Sequence, residues 1–140
     1  RDPEMSRGLG DVYKRQPYYN VDVEQGIAHL EHLEAESNLV VPPVGACDLA
    51  MCYTGRAMGN IVPPGTVVLL KAVDRDAIIP GGEYVIVCRK IVTLRIVRAA
   101  DEEDKVRLVA GDRENYDDIL LNVSDIVAVY KVKGKLIINS

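Results

Sequence analysis

Six strand-length runs of β-branched and aliphatic residues, each cut off by glycine, proline or a charged cluster, constrain this chain more than any other feature. They are LAMCYT (49–54), TVVLLKAV (66–73), EYVIVCRKI (83–91), VTLRIVRA (92–99), KVRLVAG (105–111) and DIVAVYKV (125–132). Val and Ile lose rotamer freedom in a helix but pack well on a pleated surface, so the pattern predicts a mostly β fold with little helix. VTLRIVRA and KVRLVAG flank the acidic DEED of 101–104, which predicts a hairpin with its charged tip in water. Between Glu24 and Glu36, Ile27, Leu30 and Leu33 recur every third residue, a weak helical signal that a loop closing over the sheet could equally give. DRENYDD (112–118) lacks the glycine and final glutamate of a calcium loop and reads as a solvated loop.

A chain of 140 residues suits one domain with a single core. Its net charge of −4 lacks the basic footprint that phosphate binding requires, which excludes nucleic acid as a partner of this segment alone. No apolar run approaches the length of a membrane span and no secretory leader is evident, so a soluble, cytoplasmic protein is expected. The cysteines, Cys47, Cys52 and Cys88, are odd in number, and neither His29 nor His32 stands near them at a zinc-type spacing. Small buried thiols in a reducing compartment are expected, with no metal and no cofactor; His29 and His32 read as solvated. Residues 1–16 mix charges with Gly and Pro without a hydrophobic period. They resemble a translated cloning adapter or a disordered segment, which places the domain at 17–140.

The stretch GRAMGNIVPPGT (55–66) is similar to the G-x-S-M-x-P-x-I-x-x-G-D turn of the LexA/UmuD family, the self-cleaving domains of bacterial and phage repressors. Gly55, Met58, Val62 and Gly65 match in register. Three further segments agree in order. PYYNVDVEQG (17–26) resembles the start of the family's domain, where the scissile bond lies. VPPVGACDLAM (41–51) resembles the segment leading to the nucleophile strand. PGGEYVIV (80–87), followed by VTLRIV (92–97), resembles the strands that carry the general base. The resemblance covers nearly all of 17–133 and implies a curved, β-clip-like domain of the LexA/signal-peptidase type.

The family cleaves with a serine hydroxyl and a lysine base, and both positions depart here. The serine position is Ala57, and the lysine position is Arg95, or Leu94 if the alignment slips by one. Asn60 stands for the usual Pro, Thr66 for the usual Asp, and the vestigial cleavage dipeptide reads Gln25-Gly26. A desolvated amine can become neutral enough to take a hydroxyl proton, whereas a guanidinium cannot. Thr54, Ser124 and Lys90 are the conceivable replacements, each with a plainer reading as a strand or surface residue. Arg95 itself reads either as a solvated strand arginine or as a buried one needing a carboxylate that the sequence does not identify.

The resemblance therefore implies a non-catalytic regulatory and dimerisation domain of a repressor. DNA would be held only by an N-terminal helix-turn-helix domain absent from this chain, and a RecA-type activator could engage it. Two alternatives stand beside this: a self-cleaving peptidase whose nucleophile has been replaced by Ala57, and a module binding a peptide strand in the vestigial groove. Three structural expectations follow. Ala57 should sit at a solvent-accessible turn, that turn should face the strand of Arg95, and a homodimer should form by edge pairing of the strand DIVAVYKV with the segment after it.

Overall fold

The computed structural model describes residues 14–41 and 47–137. Among them the chain forms nine strands: β1 (Lys14–Asp22), β2 (Ser37–Val41), β3 (Leu49–Tyr53), β4 (Thr66–Val73), β5 (Glu83–Cys88), β6 (Val92–Ala99), β7 (Lys105–Val109), β8 (Ile119–Asn122) and β9 (Ile126–Leu136). Helix is confined to one turn, α1 (Val23–Gly26), and to short 3-10 segments at Ile27–His32, Arg75–Ala77 and Val123–Asp125. The fold is mostly β, as the sequence predicts.

The strands make one mixed sheet in the order β2-β1-β3-β4-β9-β5-β6-β7-β8. All neighbours are antiparallel except β1 and β3, which run parallel. β5 is buried almost end to end because its two faces meet different cores. Val85 and Val87 join Met51, Tyr53, Val68, Leu70 and Leu94 on one side, while Tyr84 and Ile86 join Val97, Leu108 and Val129 on the other. The sheet curls strongly. β3 and β6 are four places apart, about 19 Å on a flat sheet, yet the single helical turn at Val23–Gly26 packs against both. Bulges bend the strands towards this curvature: β9 carries an extra residue at Val127 against β5 and at Lys133 against β4.

Several expectations meet differences here. β1 begins at Lys14 and pairs with β2 from Lys14↔Val41 onward, so residues 14–16 belong to the sheet rather than to a leading segment. The adapter-like residues 1–13 lie outside the described residues. The strand expected to form a dimerisation edge is internal: β9 is bonded to β4 on one side and β5 on the other, so its backbone groups are already committed. The hairpin with the acidic tip forms as expected, with residues 101–104 exposed between β6 and β7.

Candidate functional site

The turn between β3 and β4 is fixed by its own backbone and by two buried plugs. Gly59 N donates to Arg56 O at 3.1 Å, Ile61 N to Met58 O at 3.0 Å, and Gly65 N to Tyr53 O at 2.7 Å. Met58 and Val62 are fully buried and anchor the turn to the core. Gly65, at φ +93°, turns the chain into β4. Thr66, where the family-type motif carries Asp, donates its hydroxyl to Pro63 O at 2.6 Å and so closes the corner itself.

Ala57 is not at a solvent-accessible position: it is 7% exposed. The loop after β7 covers it. Asp112 N donates to Ala57 O at 2.9 Å. Gly111 lies so close to the turn that a Cβ there would collide with the Met58 carbonyl. The loop read as solvated is thus partly structural, and Asp112 holds it in shape by accepting from Asn115 N at 3.3 Å and Asn115 Nδ2 at 3.0 Å.

The same loop reaches the second singled-out position. The Arg95 guanidinium lies 5.8 Å from the centre of the Tyr116 ring, within cation–π range. Arg95 is buried, and its Nε donates to Thr93 Oγ1 at 3.1 Å. Thr93 Oγ1 in turn donates to Glu24 Oε2 at 3.1 Å, so a hydroxyl links the cation to a carboxylate. Glu24 Oε2 also accepts from Leu94 N at 2.9 Å. β7 pairs with β6 only from Ile96 onward, so this carboxylate occupies the stretch of the β6 edge that β7 leaves open. Sequence reasoning missed Glu24; nothing local marks it, since its partners lie some seventy positions away.

Tyr53 completes the cluster. A Cβ on Gly55 would fall 2.8 Å from Tyr53 Oη and 3.0 Å from Glu24 Oε1, so the matched glycine admits two polar groups to the space a side chain would fill. Tyr53 Oη and Arg95 Nη1 are buried without hydrogen-bond partners. Burial pushes the Tyr53 hydroxyl up to about 12, Glu24 adds to the rise, and the Arg95 charge opposes it more weakly. Tyr53 is therefore a neutral phenol at physiological pH.

The fold brings Gln25 and Gly26 to this region as well, because α1 packs on β3 and β6. Gln25 is exposed, whereas Gly26 is buried against Val21 and Met51. The conceivable replacement groups do not converge here. Thr54 is held by Asp22, whose Oδ1 accepts from Thr54 N at 2.7 Å and from Thr54 Oγ1 at 2.8 Å. Ser124 and Lys90 border one hollow at the far end of the sheet, both exposed and with no hydrogen bond between them. Leu94, the alternative base position, points its side chain into the core.

His29 and His32 are exposed, and among the described residues no group of three His, Cys, Asp or Glu side chains is arranged to hold a metal. Cys88 is buried, while Cys47 and Cys52 are half-buried; burial pushes the Cys52 and Cys88 thiols up, away from the reactive thiolate. No helix among the described residues is long and apolar enough to cross a membrane. At the turn, then, the chemistry available is a methyl group, a guanidinium tied to Thr93 and a neutral phenol. Searches against protein-family models and against curated proteins give no match for this chain.

Proposed function

We propose that this chain is a non-catalytic, LexA-like regulatory and dimerisation domain of a bacterial or phage-type transcriptional repressor. What supports the reading is that the loop after β7 covers Ala57 through Asp112 and reaches the buried Arg95 through Tyr116, the two positions that the resemblance assigns to nucleophile and base. Ala57 has no oxygen to activate, and a guanidinium cannot serve as a base in place of an amine. In this reading the domain works in the cytoplasm by pairing with a second copy. DNA is held by a helix-turn-helix domain outside this chain, and any RecA-type activator acts without triggering cleavage.

The direct test is mass spectrometry of the purified chain after long incubation from neutral to alkaline pH. Intact protein is expected, and a fragment boundary at Gln25-Gly26 would overturn the reading. Ala57→Ser alone should stay intact, because the serine still has no base. The double variant Ala57→Ser/Arg95→Lys supplies both groups; cleavage by it at Gln25-Gly26 would tie the turn and β6 directly to the family's geometry.

A second reading, a peptide-binding β module, is favoured by the seat of Glu24 on the open edge of β6. A strand added there would take the Leu94 amide from the carboxylate. Glu24→Ala should then capture extended peptides that the parent chain binds weakly.

A further inference from the structure

The carboxylate of Glu24 sits where the next strand of the sheet would pair. β7 joins β6 only from Ile96 onward, so the edge from Val92 to Arg95 has no strand beside it on the side away from β5. Leu94 turns its amide to that edge, and Glu24 Oε2 accepts from it at 2.9 Å, in the place of a ladder carbonyl. Glu24 is held there by one helical turn of four residues, whose N-cap residue, Asp22, gives it no side-chain hydrogen bond. So short and weakly capped a turn adds little stability of its own. Glu24 is half-buried, so solvent already reaches its seat from one side.

Charge limits what can replace it. Arg95 is 9% exposed and keeps Nη1 buried without a hydrogen-bond partner. Its link to a carboxylate runs through Thr93 Oγ1 to Glu24, and among the described residues no acid pairs with the guanidinium directly. The acids of the neighbouring segments are committed elsewhere or exposed. Asp22 holds Thr54, Asp112 accepts from Asn115, and Asp118 lies between Arg107 and Arg113, while Glu114 and Asp117 are exposed. A segment that pairs with this edge must lift Glu24 from Leu94. That strands a buried cation, which is strongly unfavourable unless the segment brings an acid of its own.

We propose that the β6 edge takes an extended peptide carrying Asp or Glu, with Glu24 as the built-in stand-in for that ligand carboxylate. The inference rests on the peptide-binding reading above and names the partner's chemistry. Pairing also fixes where the acid must be. Thr93 and Arg95 share one face of β6, and Leu94 faces the other. Residues opposite each other in a ladder share a face, so an acid opposite Thr93 or Arg95 lies on the side of both. A slip of one residue turns it towards the apolar core around Leu94. The ligand therefore alternates, with its acid on one face and apolar side chains on the other. The chain's net charge of −4 repels acids at long range, so a preference for one comes from this site and not from the overall field.

The test is isothermal titration calorimetry of terminally blocked heptapeptides of alternating Val and Thr, on the parent chain and on Glu24→Ala. One peptide carries Glu at its central Thr position, one carries Gln there, and one carries Glu at a Val position; the blocked ends leave the side chain as the only carboxylate. Glu24→Ala should bind the first at least about tenfold more tightly than either of the others, the margin of a hydrogen bond to a charged group. The parent should bind it more weakly, because Glu24 holds the seat. Glu24→Gln keeps an oxygen for Leu94 N and Thr93 Oγ1 but drops the charge, and it should give the same ranking, so the test stands even where Glu24→Ala does not fold. Adding Arg95→Gln to either variant should abolish the preference for Glu. Equal binding of all three peptides would overturn the acidic partner and leave the peptide-binding reading standing. A preference that survives Arg95→Gln would overturn the inference by removing its buried cation. No binding of any peptide by the folded variants would overturn both the inference and the peptide-binding reading.

Discussion

The two ends of the curled sheet treat polar groups in opposite ways. At the turn end, Arg95, Thr93 and Glu24 are turned inward and satisfied mainly by one another, under a loop contributed from far along the chain. At the Val127 end, Arg89, Lys90, Asp74 and Asp76 point to solvent, with an apolar bulge in their midst. A buried charge that loses its partner costs several kcal/mol, whereas a surface charge is screened and adds little to folding. The closed end therefore governs stability, and charges at the open end contribute little to it. Substitutions on either side should break that contrast or sharpen it.

The largest effect is expected at the closed end, from Gly111→Ala. The added methyl meets backbone atoms of Met58 that cannot rotate away, so the loop or the turn must shift. Chemical denaturation should show a loss of about 3 kcal/mol or more. Next comes Glu24→Ala, which leaves Thr93 Oγ1 and Leu94 N without their acceptor and Arg95 without its linked carboxylate. A loss of about 2–3 kcal/mol is expected by the same measurement; a loss near zero would mean that water replaces the carboxylate at no cost and that the end is not closed.

Tyr53→Phe should act in the other direction at neutral pH. Its hydroxyl is buried without a partner, so removing it should be neutral or stabilising by up to about 1 kcal/mol. Its pH dependence has a definite sign. The folded-state value, about 12, lies above the ordinary 10.0, so the native state holds this proton more tightly. That contribution is complete below pH 10 and is lost as pH rises towards 12. Denaturation from pH 9 to 12 should therefore show the parent losing stability more steeply than Tyr53→Phe. The smallest effect on folding belongs to the open end: Val127→Ala should shift stability by no more than about 0.5 kcal/mol, because its side chain is 65% exposed.

Much of the fold is legible in the sequence because strands with one or two buried faces write their burial into their composition. β4 and β6 coincide with the stretches TVVLLKAV and VTLRIVRA, and β3, β5, β7 and β9 fall within or close to the others. β1, β2 and β8 escape notice for physical reasons. KRQPYYNVD contains a proline and no clean alternation, SNLVV is a short edge, and ILLN is only four residues long. Neighbour order is a different kind of information. DIVAVYKV looks the same at an edge or in the middle, because its pattern records burial and not the identity of its partners.

The site follows the same division. Gly55, Met58 and Gly65 mark the turn in the sequence, and the turn is there. The burial of Ala57 depends on Asp112, and the partner of Arg95 on Glu24 through Thr93, contacts between segments that no local pattern connects. The alternation of VTLRIV serves a solvated or a buried arginine equally well, and only the curl of the sheet decides between them.

The place of β9 in the sheet also governs the order in which the fold can be assembled. During synthesis the eight other strands among the described residues leave the ribosome first, yet β4 and β5 are not neighbours in the ladder until β9 arrives between them. The nascent chain therefore passes through a stage with two half-sheets, β2-β1-β3-β4 and β5-β6-β7-β8, each presenting a bare edge of backbone donors and acceptors. Such edges pair readily with other chains. Premature termination before Ile126 would leave both halves in that state, so the last strand acts as the keystone that turns two aggregation-prone fragments into one domain.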